Sequence, residues 1–256
     1  MTALETAATL AQAMQGELTG LFVEDAELLT LAKLPYSTEV RHTGAEIHHL
    51  DMPKLEKEIA ERSVYARRAL ERTGSDRQLR WRFRCVRGNV HREVAAAASD
   101  VDLICIGHRV GSGYAKSRMG GMAQLVLENN APVLIAGSPN RPFIGSVAVV
   151  FDGTEHARND IQNAASIARI LKSDLTLLFT DAATEDPSQM LDWASSISGQ
   201  DVNISVVEFK GGHQVSSAGS SVEGPFGLIV CGIDEKGSIP GWLEYLTEVH
   251  GCPLLL

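Results

Sequence analysis

The sequence predicts an α/β protein, built as two tandem copies of an open parallel sheet with helices on its faces. Three observations predict it. The chain repeats itself, each repeat alternates apolar strands with amphipathic helices, and a glycine-rich stretch follows the apolar run "DLICIG". The copies are placed at 1–138 and 143–256.

The repeat is the firmest signal, because self-similarity in a fixed order marks a duplicated unit. "LETAATLAQAMQGELTGLF" (4–22) aligns with "IQNAASIARILKSDLTLLF" (161–179) at a constant offset of 157. Leu4 then matches Ile161, Ala7 matches Ala164, Ala11 matches Ala168 and Phe22 matches Phe179. "DLICIG" (102–107) matches "GLIVCG" (227–232) without a gap. "GGMAQLVLENNAPVLIA" (120–136) matches "GWLEYLTEVHGCPLLL" (241–256), with Gly120/Pro132 and Gly241/Pro253 each twelve positions apart.

In chain order, the first repeat opens on the helix and strand of 4–22. At this offset Met1 stands opposite Arg158, so the repeat has no counterpart of 143–157 and lacks the opening strand. The expectation is a gap beside 102–107, a substituted strand, an upstream segment, or two strands closing directly on each other, since a buried sheet does not leave backbone groups unpaired. The first repeat then carries 54 residues between Val23 and Gln78 where the second carries 20 between Thr180 and Asp201. The later part of this 25–75 insertion predicts a long helix, with Asp51 as N-cap, Pro53 in the first turn and Leu55, Ile59 and Leu70 on one side. The part before it reads as a mobile excursion over the sheet edge. "LRWRFRCVRG" (79–88) alternates arginine with apolar residues, the pattern of an edge strand with one wet face.

The second repeat is clearer. "SVAVVFD" (146–152) is a buried-type strand. Residues 155–172 place Ile161, Ala164, Ala165, Ile167, Ala168 and Leu171 at helical spacing. "DLTLLFT" is a strand, and "PSQMLDWASSIS" (187–198) a short helix opened by proline. "VNISVVEF" and "GLIVCG" are strands, 241–250 a helix and "PLLL" the last strand. Continuous apolar strands separated by helices imply a parallel sheet covered on both faces. Such sheets bind ligands at the carboxyl ends of their strands, where the strand order reverses.

Bulk properties exclude several classes. The net charge of −9 argues against a nucleic-acid binder. The chain shows no signal peptide and no run near the roughly 18 apolar residues of a membrane span; a cytoplasmic protein is expected, with no membrane partner. Cys85, Cys105, Cys231 and Cys252 form no CxxC pair and are expected to be buried, reduced thiols.

The stretch "IGHRVGSGYAKSRMGGMAQ" (106–124) carries the chemistry. With "APVLIA" (131–136) behind it and "VVFDGT" (149–154) opening the second repeat, the chain resembles a tandem universal stress protein. That family's signature is a strand, G-x2-G-x9-G-[S/T], a helix and a "PVL" strand. Gly107 and Gly120 stand thirteen apart, as the first and third signature glycines do. The resemblance implies the Rossmann-like fold of the adenine nucleotide alpha hydrolase type. It also implies ATP or a related adenine nucleotide bound without rapid chemistry and without a metal requirement, though some members bind none. It places nucleotide contacts at Gly107, Arg109, Gly111, Gly113, Gly120, Gly121, Met122 and Asp152.

The physical basis of such a loop is that glycine lets backbone N–H groups approach phosphate oxygens. The helix it opens adds positive potential, and Arg109, Lys116 and Arg118 supplement the field. Two departures weaken the match: the second signature glycine falls on Val110, and Gly121 replaces the Ser/Thr hydroxyl. In the second repeat, "GIDEKGSIPGW" shortens the Gly232–Gly241 spacing to nine, brings in Asp234 and Glu235, and loses an N–H at Pro240. One repeat thus has a phosphate loop without its opening strand, and the other has the strand, with Asp152, without a proper loop. Glycines after a parallel strand can also simply turn the chain. Asp152 stands equally for a base-side contact or a cap on the helix that follows.

No P-loop, dinucleotide fingerprint or nucleophile elbow is present. His42, Glu46, His48, His49 and Asp51 cluster in sequence without a metal-site spacing and read as solvated loop. The expected function is a non-enzymatic, stress-linked regulator or adaptor with at most one weakened nucleotide site, in the first repeat. The alternatives are a degenerate scaffold that binds a protein partner through 25–75, and a slow nucleotide hydrolase. Family members pair through the final strand, so 132–136 and 252–256 are expected to lie together as an intramolecular pseudo-dimer; a homodimer is the other arrangement considered.

Overall fold

In the computed structural model, residues 2–34, 38–40, 47–49, 51–107, 131–137, 145–180, 183–199, 201–209, 226–232 and 252–256 are described. By packing, the chain divides into a unit of Met1–Met14 with Val101–Leu256 and a unit of Gln15–Asp100. These units cut the chain differently from the repeats, because the first repeat contributes to both.

The larger unit is built on a seven-stranded sheet. Its strands are β5 (Ile104–Gly107), β6 (Val133–Ala136), β7 (Ser146–Phe151), β8 (Leu175–Thr180), β9 (Ile204–Phe209), β10 (Phe226–Val230) and β11 (Leu254–Leu255). Their spatial order is β5-β6-β11-β10-β7-β8-β9. Every neighbouring pair is parallel except β6 and β11, which run antiparallel with Leu254 opposite Ile135 and Leu255 opposite Leu134. Val133 and Leu256 exchange N–H···O=C bonds of 3.0 and 2.9 Å. The final strands of the two repeats therefore pair, as expected, and they run antiparallel.

The strands read as continuous apolar runs because both faces are covered. Each residue of β8, β10 and β6 is buried, as is β7 beyond Ser146. Helix α5 (Glu155–Leu171) lays Ala157, Ile161, Ala164, Ala165 and Ala168 on the sheet at i, i+3 and i+4 spacing, all buried. The Thr154 hydroxyl caps its start by accepting from the Ala157 N–H at 3.2 Å. It ends at Lys172, whose left-handed conformation (φ 52°) returns its N–H to Ala168 and Arg169. Small alanines let the helix approach closely, and Ile161 fills the remaining space. Helix α6 (Pro187–Ser198) starts at proline behind the Asp186 cap and packs beside α5 through Met190 and Ala194. In the first repeat, α1 (Thr2–Ala13) packs on β5 and β6.

The smaller unit holds a two-stranded parallel sheet, β1 (Glu17–Asp25) against β4 (Arg80–Gly88), in register from Glu17/Arg80 to Asp25/Gly88. Between them come α2 (Ala26–Ala32), a short antiparallel hairpin of β2 (Thr38–Val40) and β3 (Ile47–His49), and α3 (Met52–Asp76); α4 (Val90–Ala98) follows. The excursion expected before the long helix is thus α2 and a hairpin. Asp25 caps α2 by accepting from the N–H groups of Glu27 and Leu28. The long helix begins after Asp51 as expected, with no side-chain cap bond from that residue. It crosses the sheet so closely at Leu70 that a Cβ on Gly20 would lie 2.7 Å from the leucine Cδ2. Arg80, Arg82 and Arg84 are exposed and Trp81 and Phe83 half-buried, the one-wet-face pattern read from the sequence.

In the second repeat, β7 is bonded to β8 on one side and β10 on the other. In the first repeat the β1–β4 pair and the β5–β6 pair belong to different sheets, and among the described residues β5 has β6 as its one strand neighbour.

The cysteines need one correction. All four are free, but Cys85 is exposed rather than buried, Cys105 is half-buried, and Cys231 and Cys252 are buried. Cys85 sits on a strand with a single neighbour, opposite the polar stretch of α3, and takes a contact from the Ser63 hydroxyl at 3.4 Å.

Candidate functional site

A doubly wound sheet offers its ligand crevice where the strand order reverses. In the second repeat that point lies between β7 and β10, beyond their carboxyl ends. In the first repeat the equivalent point is the outer side of β5.

The β7 end is a dense polar cluster. Asp152 follows the strand and is exposed; its Oδ1 accepts from the Thr154 N–H at 3.0 Å and from the Thr154 hydroxyl at 2.7 Å. Gly153 lies between them at φ 85°. A Cβ there would also stand 3.0 Å from Glu185 Oε2, so glycine is required for conformation and for room. Glu185 Oε1 accepts from Arg158 at 3.1 Å, and the Arg158 guanidinium lies 5.7 Å over the Trp193 ring. Asp152 thus has the cap-organising geometry, the structural one of its two readings.

From α5, Asp160 reaches the end of β10. Its Oδ2 occupies the space a Cβ on Gly232 would take. Burial raises the Asp160 pKa, and the nearby Asp152 charge adds to the shift; the Gly232 backbone and His156 oppose it. Burial, and then the Asp160 and Asp152 charges, push the adjacent Cys231 thiol up to about 12. A thiol held that far from ionisation is a small core residue, not a nucleophile.

Gly107 closes β5 and is exposed. Among the described residues a Cβ built on it would meet only Ala3, at an ordinary 3.6 Å. The Cys105 thiol donates to the Ala3 carbonyl at 3.3 Å and is pushed up to about 12 by burial. Gly107 and Gly232 are repeat counterparts, and so are Ala3 and Asp160 at the offset of 157. The same helix position therefore faces the same glycine in both repeats, with a methyl group in one and a carboxylate in the other. Sequence reasoning passed over this pair, although the alignment already set Ala3 opposite Asp160.

The structure does not bring Gly107 and Asp152 together. β5 and β7 stand four strand positions apart, roughly 19 Å at a usual strand spacing, and point in opposite directions. Each belongs to its own crevice. Arg109, Gly111, Gly113, Gly120, Gly121 and Met122 lie outside the described residues, as do Lys116 and Arg118, Asp234 to Gly241, and the helix expected over 241–250. His42 and Glu46 also lie outside them, and no group of three metal-ligating side chains occurs among the described residues.

No protein-family model matches the chain, and no curated protein does. Solved structures do. A universal stress protein from Archaeoglobus fulgidus superposes with a TM-score of 0.65 at 14% identity, covering 99% of this chain and 91% of that one. A structure from Pseudomonas aeruginosa, assigned to the universal stress proteins, gives a TM-score of 0.52 at 15% identity, covering 98% and 86%. At such identities the likeness is one of architecture, and on that evidence this chain has the α/β fold of the universal stress proteins.

Proposed function

We propose that the chain is a non-enzymatic, universal-stress-type regulator or adaptor, with one weakened site for ATP or a related adenine nucleotide at 107–122. The observation that carries the reading is Gly107. It stands exposed at the carboxyl end of β5, where a ligand of this fold is held, and among the described residues only the Ala3 methyl lies near it. At the other end the space beside the equivalent glycine is already filled by the Asp160 carboxylate. A cytoplasmic setting and a tandem origin belong to the same reading. No helix among the described residues is long and apolar enough to cross a membrane.

Affinity is expected in the tens of micromolar or weaker. Gly121 withholds a hydroxyl worth about 1 kcal/mol, and Asp152 serves the opposite end of the sheet. Calorimetry with ATP, ADP and AMP tests the reading. One saturable site that disappears in Gly120→Val and persists in Gly241→Val supports it. Steady metal-dependent ATP turnover would move the assignment to a hydrolase.

A second reading, a scaffold that binds a protein and no nucleotide, is favoured by a different observation. Leu28, Leu31 and Leu34, in and just after α2, are 38%, 55% and 55% exposed within the inserted segment. Contiguous exposed apolar surface marks interaction sites. Absence of any nucleotide binding by the unaltered chain would select this reading.

A further inference from the structure

We infer that Asp160 is a built-in anion that closes the second repeat to phosphate by filling the space beside Gly232 at the end of β10, and that the residue at this helix position decides which repeat can accept an anion. The inference rests on the proposed function for what the Gly107 end does, and on geometry alone for what Asp160 does.

The argument starts from what a phosphate needs at the end of this strand. It needs a free backbone N–H, space beside the glycine Cα, and no negative charge. At Gly107 the neighbouring helix contributes Ala3, a methyl group at van der Waals distance, and among the described residues the space beside the glycine is open. At Gly232 the counterpart side chain is a carboxylate that fails the last two conditions. Its Oδ2 fills the space next to the Cα, and its charge repels a second anion. Asp152, just after β7, adds repulsion of the same sign. The geometry is specific to this pair. Asp160 is half-buried and aimed across from α5 to β10, whereas a solvated helix carboxylate would point away from the sheet.

This assignment also accounts for the sequence of the shortened loop. Asp234, Glu235 and Pro240 follow Gly232 with no cationic compensation except Lys236. A loop whose anion position is filled from within is free to lose its glycines and gain acidic residues. The first loop keeps Arg109, Lys116 and Arg118.

The test reads the Gly232 backbone amide by NMR while inorganic phosphate is added to the full chain. In the unaltered protein this amide is expected to stay unmoved. In Asp160→Ala it is expected to shift saturably, with an apparent affinity at least about tenfold tighter than that of the unaltered chain. Asp160→Ser, one atom too short to reach, serves the same purpose should the alanine variant fold poorly. Asp160→Asn keeps the shape and a side-chain acceptor, and is expected to leave the amide closed. Failure of both truncations to respond would overturn the inference, and so would an equal response from the unaltered chain or from Asp160→Asn. The outcome is independent of nucleotide binding at the Gly107 end, which ATP titration of the unaltered chain reads separately.

Discussion

The two ends of the seven-stranded sheet carry the same parts in different states of completion. At the β7–β10 end the opening strand, its aspartate turn and the capped helix are all present, and a carboxylate from α5 fills the space beside Gly232. At the β5 end, among the described residues, β6 is the one strand neighbour and Ala3 the one side chain beside Gly107. On the proposed reading the more complete scaffold is the one closed to an anion, and the other is the open one. Structural completeness and binding competence are then separate properties. One follows from strand pairing, the other from a few side chains at strand ends.

The largest effect that sharpens this contrast lies in the core. Ile161 is fully buried under α5, whereas its repeat counterpart Leu4 is half-buried on α1. Ile161→Ala is expected to cost about 3–5 kcal/mol and Leu4→Ala about half that or less. Denaturant unfolding monitored by circular dichroism measures both. Equal losses would mean that the two helices are equally embedded and that the contrast is misplaced.

The next effect compares the two glycines. Gly232→Ala drives a methyl group into Asp160 and is expected to destabilise by about 1–3 kcal/mol. Gly107→Ala finds room beside Ala3 and is expected to change stability by less than about 0.5 kcal/mol. The double variant Asp160→Ala/Gly232→Ala should recover most of the loss, since the two residues share one volume. Thermal melts of the unaltered chain, the two glycine variants, Asp160→Ala and the double variant decide this, and additive losses in the double variant would contradict the contact.

The smallest effect is one of pH. Burial raises the folded-state pKa of Asp160 above its ordinary value near 3.8. The folded chain then binds its proton more tightly than the unfolded chain, so this residue favours folding below 3.8 and loses that contribution as pH rises through the raised pKa. Relative to Asp160→Asn, the unaltered protein should gain stability as pH falls through that window and sit at its relative minimum near neutrality. A stability difference independent of pH, or one of the opposite slope, would show that the carboxyl is not held in this environment.

Most of the fold was legible in the sequence because its strands are buried on both faces. "VAVVF" and "LTLLF" leave little choice of structure, and the alanines and Ile161 of α5 fall at helical spacing. The pairing of 132–136 with 252–256 followed from the family resemblance joined to the repeat. Less legible was the strand pairing of the first repeat, which puts β5 and β1 in separate sheets. Cys85 was misread because it falls in step with the apolar Trp81 and Phe83, on a two-stranded sheet too narrow to bury it. The site was legible only in part. Gly107 and Asp152 stood out by motif, but their placement at opposite ends of the sheet depends on the antiparallel β6–β11 pair. Asp160 has no motif at all. It becomes visible only when its distance to Gly232 is set beside that of Ala3 to Gly107.

The most direct test of the central claim transfers the closed state to the open end. Ala3→Asp places a carboxylate opposite Gly107 as Asp160 stands opposite Gly232. Calorimetric titration of ATP into the unaltered chain and into Ala3→Asp should give one weak site in the first and none in the second. Unchanged ATP binding in Ala3→Asp, or two sites in the unaltered chain, would contradict the account.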